Sequence, residues 1–445
     1  MMEKLHNDAG SPRDWQRPQT PSQPRQPWVT ALKMVTFILS VLGLLALHSS
    51  TTVARPQDDV GPAPTKFSYA QRMGSPSKTS FSISTSATAN PVASGISVDG
   101  GKAYIKYSTV EGYFLQDLNT TDPATFDYTA QNFGLLNRTY PSDTWFTTRF
   151  QTQWQRFSTH LSQLNARSPP HISYKLLFLA RHGEGTHNSA ETFYTTPSWN
   201  CYYAQADGNS TTTWADATLT PSGESQSARA RNYWTRLLKE QRITPPQSFY
   251  VSPLTRCLQT ADETWRDVPL PRGLYRPVVK ELLREGMSIH TCDRRSSRGV
   301  IAENFPAMRF ETTFAENDML WSGIVAETPT AQDYRSKLLL HDVWGADREQ
   351  VVSFTSHSGE TRSLLRVLGH VPFSLSTGSV LPVLVKGEKV RERPGEVTTE
   401  PWKESAWCTN GAPVTSVAGG ACVCSDGVTP TAVSPGVVFT TRPVR

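Results

Sequence analysis

A chain of 445 residues, 37% hydrophobic and 10% aromatic, can bury one large core or several smaller ones and is too polar overall for a multispanning membrane protein. Its 44 Lys and Arg against 39 Asp and Glu leave a formal charge of +5, too little over this length to mark a nucleic-acid binder. Residues 1–33, rich in Pro, Gln and Arg, cannot bury a core and read as a disordered basic leader. The apolar run Met34–Leu47 (MVTFILSVLGLLAL) falls short of the ~20 residues that cross a bilayer and suits a signal peptide, with Thr52-Val53-Ala54 as small residues for cleavage. Extended by its flanks it reads instead as one membrane anchor, with Arg13, Arg17, Arg25 and Lys33 on the cytoplasmic side. Residues 34–54 are therefore expected to be a signal peptide or signal anchor that places the rest in the secretory pathway, secreted or held on a membrane with the catalytic domain lumenal or extracellular. A cytoplasmic protein that buries this segment is the alternative.

Residues 55–102, rich in Ser, Thr and Pro, read as a disordered linker. Dense aromatics from residue 103 onward open the globular body, expected to run over 103–390. Within it, short apolar runs alternate with helical patterns, the signature of an α/β sheet with helices on its faces. Candidate strands are Lys175–Ala180, Ser248–Val251, Val351–Thr355 and Pro382–Lys386. Thr220 caps a helix that Pro221 opens, and a second helix covers Gly359–Leu368 with Gly369 as its stop. Residues 391–445 look like an extended tail with one strand at Val437–Thr440. Asn119, Asn137 and Asn209 head glycosylation sequons, and Cys408, Cys422 and Cys424 make the tail a disulfide region if the compartment oxidises.

The chemistry follows three of the strands. KLLFLA leads into Arg181-His182-Gly183-Glu184-Gly185-Thr186-His187-Asn188, SFYV into Ser252-Pro253-Leu254-Thr255-Arg256, and VVSFT into Ser356-His357-Ser358-Gly359-Glu360. Ligands of open α/β sheets sit beyond the carboxyl ends of the strands, where helices begin with unpaired N–H groups. Arg181, His182, Arg256 and His357 at three such ends predict one cationic, donor-rich pocket for phosphate. His182 beside Arg181 suits a nucleophile: neutral imidazole attacks phosphorus, and guanidinium groups oppose a second positive charge while holding phosphoryl oxygens. Asn188 adds an uncharged donor.

RHGEGTHN, SPLTRCLQTA, LLREG followed by HTCD, and SHSGETRSLL resemble, in that order, the motifs of the histidine phosphatase superfamily in its phosphoglycerate mutase-like branch. The chain is most similar to fungal phosphomutase-like proteins, which share an aromatic leader such as YSTVEGYFLQDLNTTDPATFDY. The resemblance covers Ala103–Val390 and implies a three-layer αβα sandwich with a phosphohistidine intermediate. By motif it makes His182 the phosphate acceptor, with Arg181, Arg256 and His357 around the phosphate, Asn188 an auxiliary contact and Glu285 the proton donor to the leaving oxygen. The sister branch of acid phosphatases uses RHGxRxP and a late His-Asp pair, from which this chain departs at Gly185 and, after His357, at Ser358.

Glu281 and Glu184 compete with Glu285 for the role of acid. Cys292 to Arg298 offers the Cys-x5-Arg spacing of cysteine phosphatases, although it lacks the glycine that such a loop needs to wrap a phosphate. The basic run Arg294, Arg295, Arg298 reads as a solvated face or as a rim for a polyanionic substrate. Specificity is expected from a cap built by Thr192–Trp214 and Gly286–Thr330. The resulting expectation is a phosphatase for a small phosphorylated substrate, needing no metal and no cofactor. A phosphomutase and a membrane-anchored, non-catalytic phospho-ligand binder are the alternatives.

Overall fold

The computed structural model describes residues 104–390, 399–409, 411–413, 415–416 and 422–424. The signal or anchor segment, the linker and the strand expected at 437–440 lie outside the described residues. No helix among the described residues is long and apolar enough to cross a membrane.

In chain order the body comprises β1 (Tyr104–Thr109), α1 (Trp145–Phe150), α2 (Gln153–Arg167), β2 (Ile172–Arg181), α3 (Thr186–Tyr194), α4 (Thr196–Cys201), α5 (Pro221–Glu240), β3 (Ser248–Val251) and α6 (Thr255–Trp265). It continues through β4 (Val278–Val279), α7 (Arg298–Asn304), β5 (Arg309–Phe310), β6 (Val325–Ala326), α8 (Pro329–Ala346), β7 (Val351–Ser356), α9 (Ser358–Leu368) and β8 (Val380–Val390). Seven strands form one sheet in the order β1-β8-β2-β7-β3-β4-β5. From β2 to β5 the neighbours run parallel, and β8 lies antiparallel between β1 and β2.

The alternation of side chains along a strand divides the core in two. From β2, Leu176 and Phe178 face an aromatic cluster with Trp154 and Phe157 of α2, Trp234 and Leu237 of α5 and Trp265 of α6. Leu177 and Leu179 point the other way, onto Leu339, Leu340 and Val343 of α8 and Leu364, Leu365 and Leu368 of α9. Helices thus cover both faces, which gives the expected three-layer αβα sandwich and explains why the buried part of β2 is a continuous apolar run rather than an alternating one.

The helix signals act as read. Thr220 Oγ1 accepts from Gly223 N at 3.2 Å, with Pro221 at the first turn, and α9 stops at Gly369, whose φ of 65° is the left-handed turn that glycine adopts at least cost. β1 carried no such signal: only Ile105 and Tyr107 point into the core, and its outer edge has no partner strand among the described residues. It pairs with the far half of β8, which therefore runs well past Lys386, to Val390.

Part of the tail returns to the body. β9 (Lys403–Glu404) pairs with β6, β10 (Thr415–Ser416) pairs with β11 (Cys422–Val423), and Cys408 is disulfide-bonded to Cys424. Cys201, at the end of α4, is itself in a disulfide, and its carbonyl accepts from Cys408 N at 2.8 Å.

One carboxylate of the body is held against its charge. Burial first, then Glu224 and Asp262, push Glu263 on α6 from 4.5 up to about 7. The unfolded chain ionises this group near pH 4.5, so the folded state loses stability as pH rises from there and bears the full penalty above 7. Glu263→Gln should therefore raise the melting temperature at pH 8 and leave it unchanged at pH 4, as read by calorimetry.

Candidate active site

Because β2, β7 and β3 are parallel neighbours, their carboxyl ends lie side by side and bring the three motifs to one place. Backbone bonds continue the ladder past the strands: His182 N donates to Ser356 O at 2.9 Å and Ser252 N to Thr355 O at 3.0 Å. His182, His357 and Arg256 are each at most 1% exposed, and the two imidazole rings are 5.1 Å apart.

His182 Nδ1 is 2.7 Å from Gly183 O, which fixes the proton on Nδ1 and leaves the Nε2 lone pair for a ligand. A side chain at Gly183 would lie 2.5 Å from Gly223 O, so the glycine lets the motif press against the first turn of α5. His357 Nε2 shares a hydrogen bond with Ser252 Oγ at 2.7 Å and lies 3.3 Å from Cys257 Sγ. Arg256 Nη1 donates to Cys292 O at 2.6 Å, and Nη2 is 3.6 Å from Asp293 Oδ1. Its Nε is buried without a partner, a donor that a phosphoryl oxygen would satisfy. Arg181 Nη1 donates to Leu375 O at 2.7 Å. Asn188 Oδ1 accepts from Gly185 N at 3.0 Å, which leaves its NH2 group for a ligand.

Burial first and then Arg256 hold His182 and His357 well below the usual imidazole value, so both are neutral. Because a lowered value keeps the nucleophile unprotonated into acid, kcat/KM for an aryl phosphate, corrected for the phosphate ionisation near 6, should show no loss from enzyme protonation until well below pH 6.5. An enzyme acid limb centred at 6.5 or higher would count against this nucleophile.

Glu285 reaches the pocket from the loop after β4. One oxygen accepts from Gly286 N at 2.8 Å and Glu360 N at 3.0 Å, the other from Gly359 N at 3.1 Å. The carboxylate thus sits on the first turn of α9, next to His357, and accepts from amides that the helix leaves unpaired. A side chain at Gly359 would lie 2.1 Å from Glu285 Oε1, so glycine is what admits the carboxylate.

The sequence profile of the histidine phosphatase superfamily (branch 1) matches residues 177–378. A protein of Arthroderma benhamiae named a probable phosphoglycerate mutase is 43% identical over 292 residues, 65% of this chain and 87% of that one. The chain belongs to the histidine phosphatase superfamily. Phosphomutase-like protein 3 of Candida albicans is 33% identical over 316 residues, covering 71% of this chain and 90% of its own. Among solved structures, a phosphoglycerate mutase from Thermus thermophilus is 21% identical, covers 46% of this chain and 91% of that one, and superposes with a TM-score of 0.26.

In this member of the superfamily the residues expected at the site fall into two groups. Arg181, His182, Arg256, His357, Asn188 and Glu285 lie around the strand ends. The rival carboxylates are engaged elsewhere: Glu281 pairs with Arg284 at 3.0 Å and Arg295 at 2.9 Å, and Glu184 accepts from Thr220 Oγ1 at 2.6 Å. Cys292 is buried, and burial and Asp293 push its thiol well up, the opposite of a nucleophilic thiolate. Of the basic run only Arg295 departs from a solvated face, while Arg294 is half-buried and Arg298 exposed. Arg295 is buried on Glu281 and four backbone carbonyls, Arg294 pairs with Asp207 at 2.7 Å and covers Trp321, and Arg298 lies over Phe310.

The two segments expected to build a cap pack on each other, with Trp199, Ala204 and Trp214 against Cys292. Three residues at the site were not assigned a role from the sequence. Ser252 could have been suspected from its place one residue past a strand. Asp216 gave no signal: it accepts from Thr255 N at 2.8 Å and Ser296 N at 2.9 Å, tying the start of α6 to the cap. His187 stood inside the RHG motif without a chemical reading. Among the described residues, His290, Cys292 and Asp293 bring potential metal ligands within 4.8 Å of one another. Asp293 there already accepts from Ser288 Oγ at 2.6 Å and faces Arg256, which opposes a further cation.

Proposed function

We propose that the protein is a phosphatase that hydrolyses small phosphomonoesters through a phosphohistidine on His182. The observation that carries this is the fixed His182 tautomer: Nδ1 is tied to Gly183 O, so Nε2 is a neutral lone pair beside Arg181 and Arg256. The phosphoryl oxygens would bind Arg181, Arg256, His357 and the Asn188 amide. Nε2 attacks phosphorus, the bond to the ester oxygen breaks, and Glu285 delivers the proton to that oxygen. Proton delivery requires the Glu285 carboxyl to release one of its amide donors, a rearrangement that the arriving phosphate dianion would favour by competing for the same donors. Water then attacks the phosphohistidine, giving a proton to the Glu285 carboxylate and so restoring the acid, and the P–N electron pair returns to Nε2.

Hydrolysis rather than transfer to a second hydroxyl is supported by the secretory character of the leader and by the disulfides at Cys408–Cys424 and Cys201, since an oxidising compartment holds few glycolytic intermediates. In that setting the catalytic domain is lumenal or extracellular, and residues 34–54 leave secretion and membrane anchoring as the two outcomes. The mutase reading is favoured by the name of the Arthroderma benhamiae relative. Incubation of the full chain with labelled 3-phosphoglycerate separates the two: a phosphatase releases inorganic phosphate and leaves the remaining substrate unisomerised. Accumulation of 2-phosphoglycerate faster than phosphate would establish a mutase.

A further inference from the structure

His187 lies on the first turn of α3, inside the RHG motif yet outside the phosphate-binding set described above. Its ring centroid is 5.4 Å from that of His182, and the residue is only 9% exposed. Nδ1 is buried with no hydrogen-bond partner. A buried polar atom without a partner is unfavourable, so an imidazole placed this way calls for a reason. Packing alone is a weak one, because Phe or Leu would fill the same space without that cost.

The ring also sits in the field of the pocket. Burial first, then Arg256, His182 and Arg181, hold it well below the usual imidazole value, so it is neutral and carries one N–H. Nδ1 is turned toward Gly185, where an added side chain would lie 2.7 Å away. With Nδ1 unpaired against Gly185, only Nε2 can put the ring's N–H to use on a ligand. A phosphoryl oxygen is an acceptor only, which makes it the complement of a single N–H donor.

We infer that His187 is a phosphoryl-contacting residue, donating Nε2–H to an oxygen of the group that transfers to and from His182. This rests on the phosphatase reading for its ligand. Being uncharged, the donor strengthens the hold on the phosphoryl oxygens without adding a positive charge that would repel protonation of the leaving group or compete with the guanidinium groups. It also explains the glycine at 185, whose missing side chain makes room for the ring.

The test uses the full chain and vanadate as the phosphoryl analogue. His187→Leu removes the donor and keeps the bulk. His187→Gln restores an N–H. The expected result is that His187→Leu weakens vanadate inhibition and lowers kcat/KM by roughly 10- to 100-fold, the range for a hydrogen bond to a charged group, and that His187→Gln recovers most of both. Should His187→Leu fail to fold, Gly185→Ala, which crowds the ring off its position, is expected to weaken vanadate inhibition in the same direction. Unchanged vanadate inhibition in a folded variant would overturn the assignment, as would equal losses in Leu and Gln variants with matching losses in melting temperature. Acid-labile phosphate trapped on His182 of the unaltered chain keeps the two readings apart. If it never forms, the phosphatase reading fails, whereas normal trapping with vanadate inhibition indifferent to His187 rejects this inference alone.

Discussion

His182→Ala is expected to abolish turnover, by at least about 10⁴-fold, whereas Cys292→Ser should keep most of the rate. The first expectation follows from what remains when the imidazole is removed. Arg181, Arg256 and His357 still bind phosphate, but no lone pair stands beside them to take the phosphoryl group, so binding survives and chemistry does not. Phosphate or vanadate affinity measured on His182→Ala should therefore remain, separating loss of the nucleophile from loss of the pocket. The second follows from the position of Cys292. Its thiol is buried and pushed well up, its carbonyl rather than its sulfur engages Arg256, and Ser can occupy nearly the same volume. Initial rates on an aryl phosphate decide both, and the reverse pattern would overturn the histidine assignment.

Glu285→Gln should cut kcat on glycerol phosphate by about 10²-fold or more, with a smaller loss on an activated aryl ester. Alkoxides are strongly basic leaving groups and need a proton in the transition state, while phenolates leave without one. The geometry adds a second consequence. Both oxygens of Glu285 accept from backbone N–H groups, so a glutamine must point its NH2 at one of them and leave donors facing each other. That repulsion falls on the start of α9, beside His357. A share of the loss on both substrates is therefore positional, and the ratio between alkyl and aryl losses isolates the proton. Equal losses would make Glu285 a residue that seats α9 and His357 rather than the acid.

Local signals explain how far the sequence could be read. Thr220-Pro221 and Gly369 mark helix ends through capping and backbone freedom, which a few neighbouring residues decide. The run at Leu176–Leu179 is apolar on successive residues because helices cover both faces, and a covered strand shows this in composition alone. The motifs at the strand ends were legible for the same reason: once the strands are parallel neighbours, residues that follow them must converge.

The rest depended on contacts between segments far apart in the chain. β1 is a strand because β8 lies beside it, a pairing across about 280 residues that no local pattern announces. Which of three glutamates joins the pocket was settled by partners: Glu281 is taken by Arg284 and Arg295, Glu184 by Thr220, and Glu285 by the amides of α9. The run Arg294, Arg295, Arg298 looked solvated because a string of charges usually is, and Arg298 is exposed, yet Arg295 in its middle is buried on Glu281, a partner from another segment. Short-range pattern thus determined four strands of the sheet and the motifs that follow three of them, since each is written in neighbouring residues. The tertiary structure alone decided which charged groups are spent on one another and which face the pocket, because that choice depends on distances that sequence spacing does not encode.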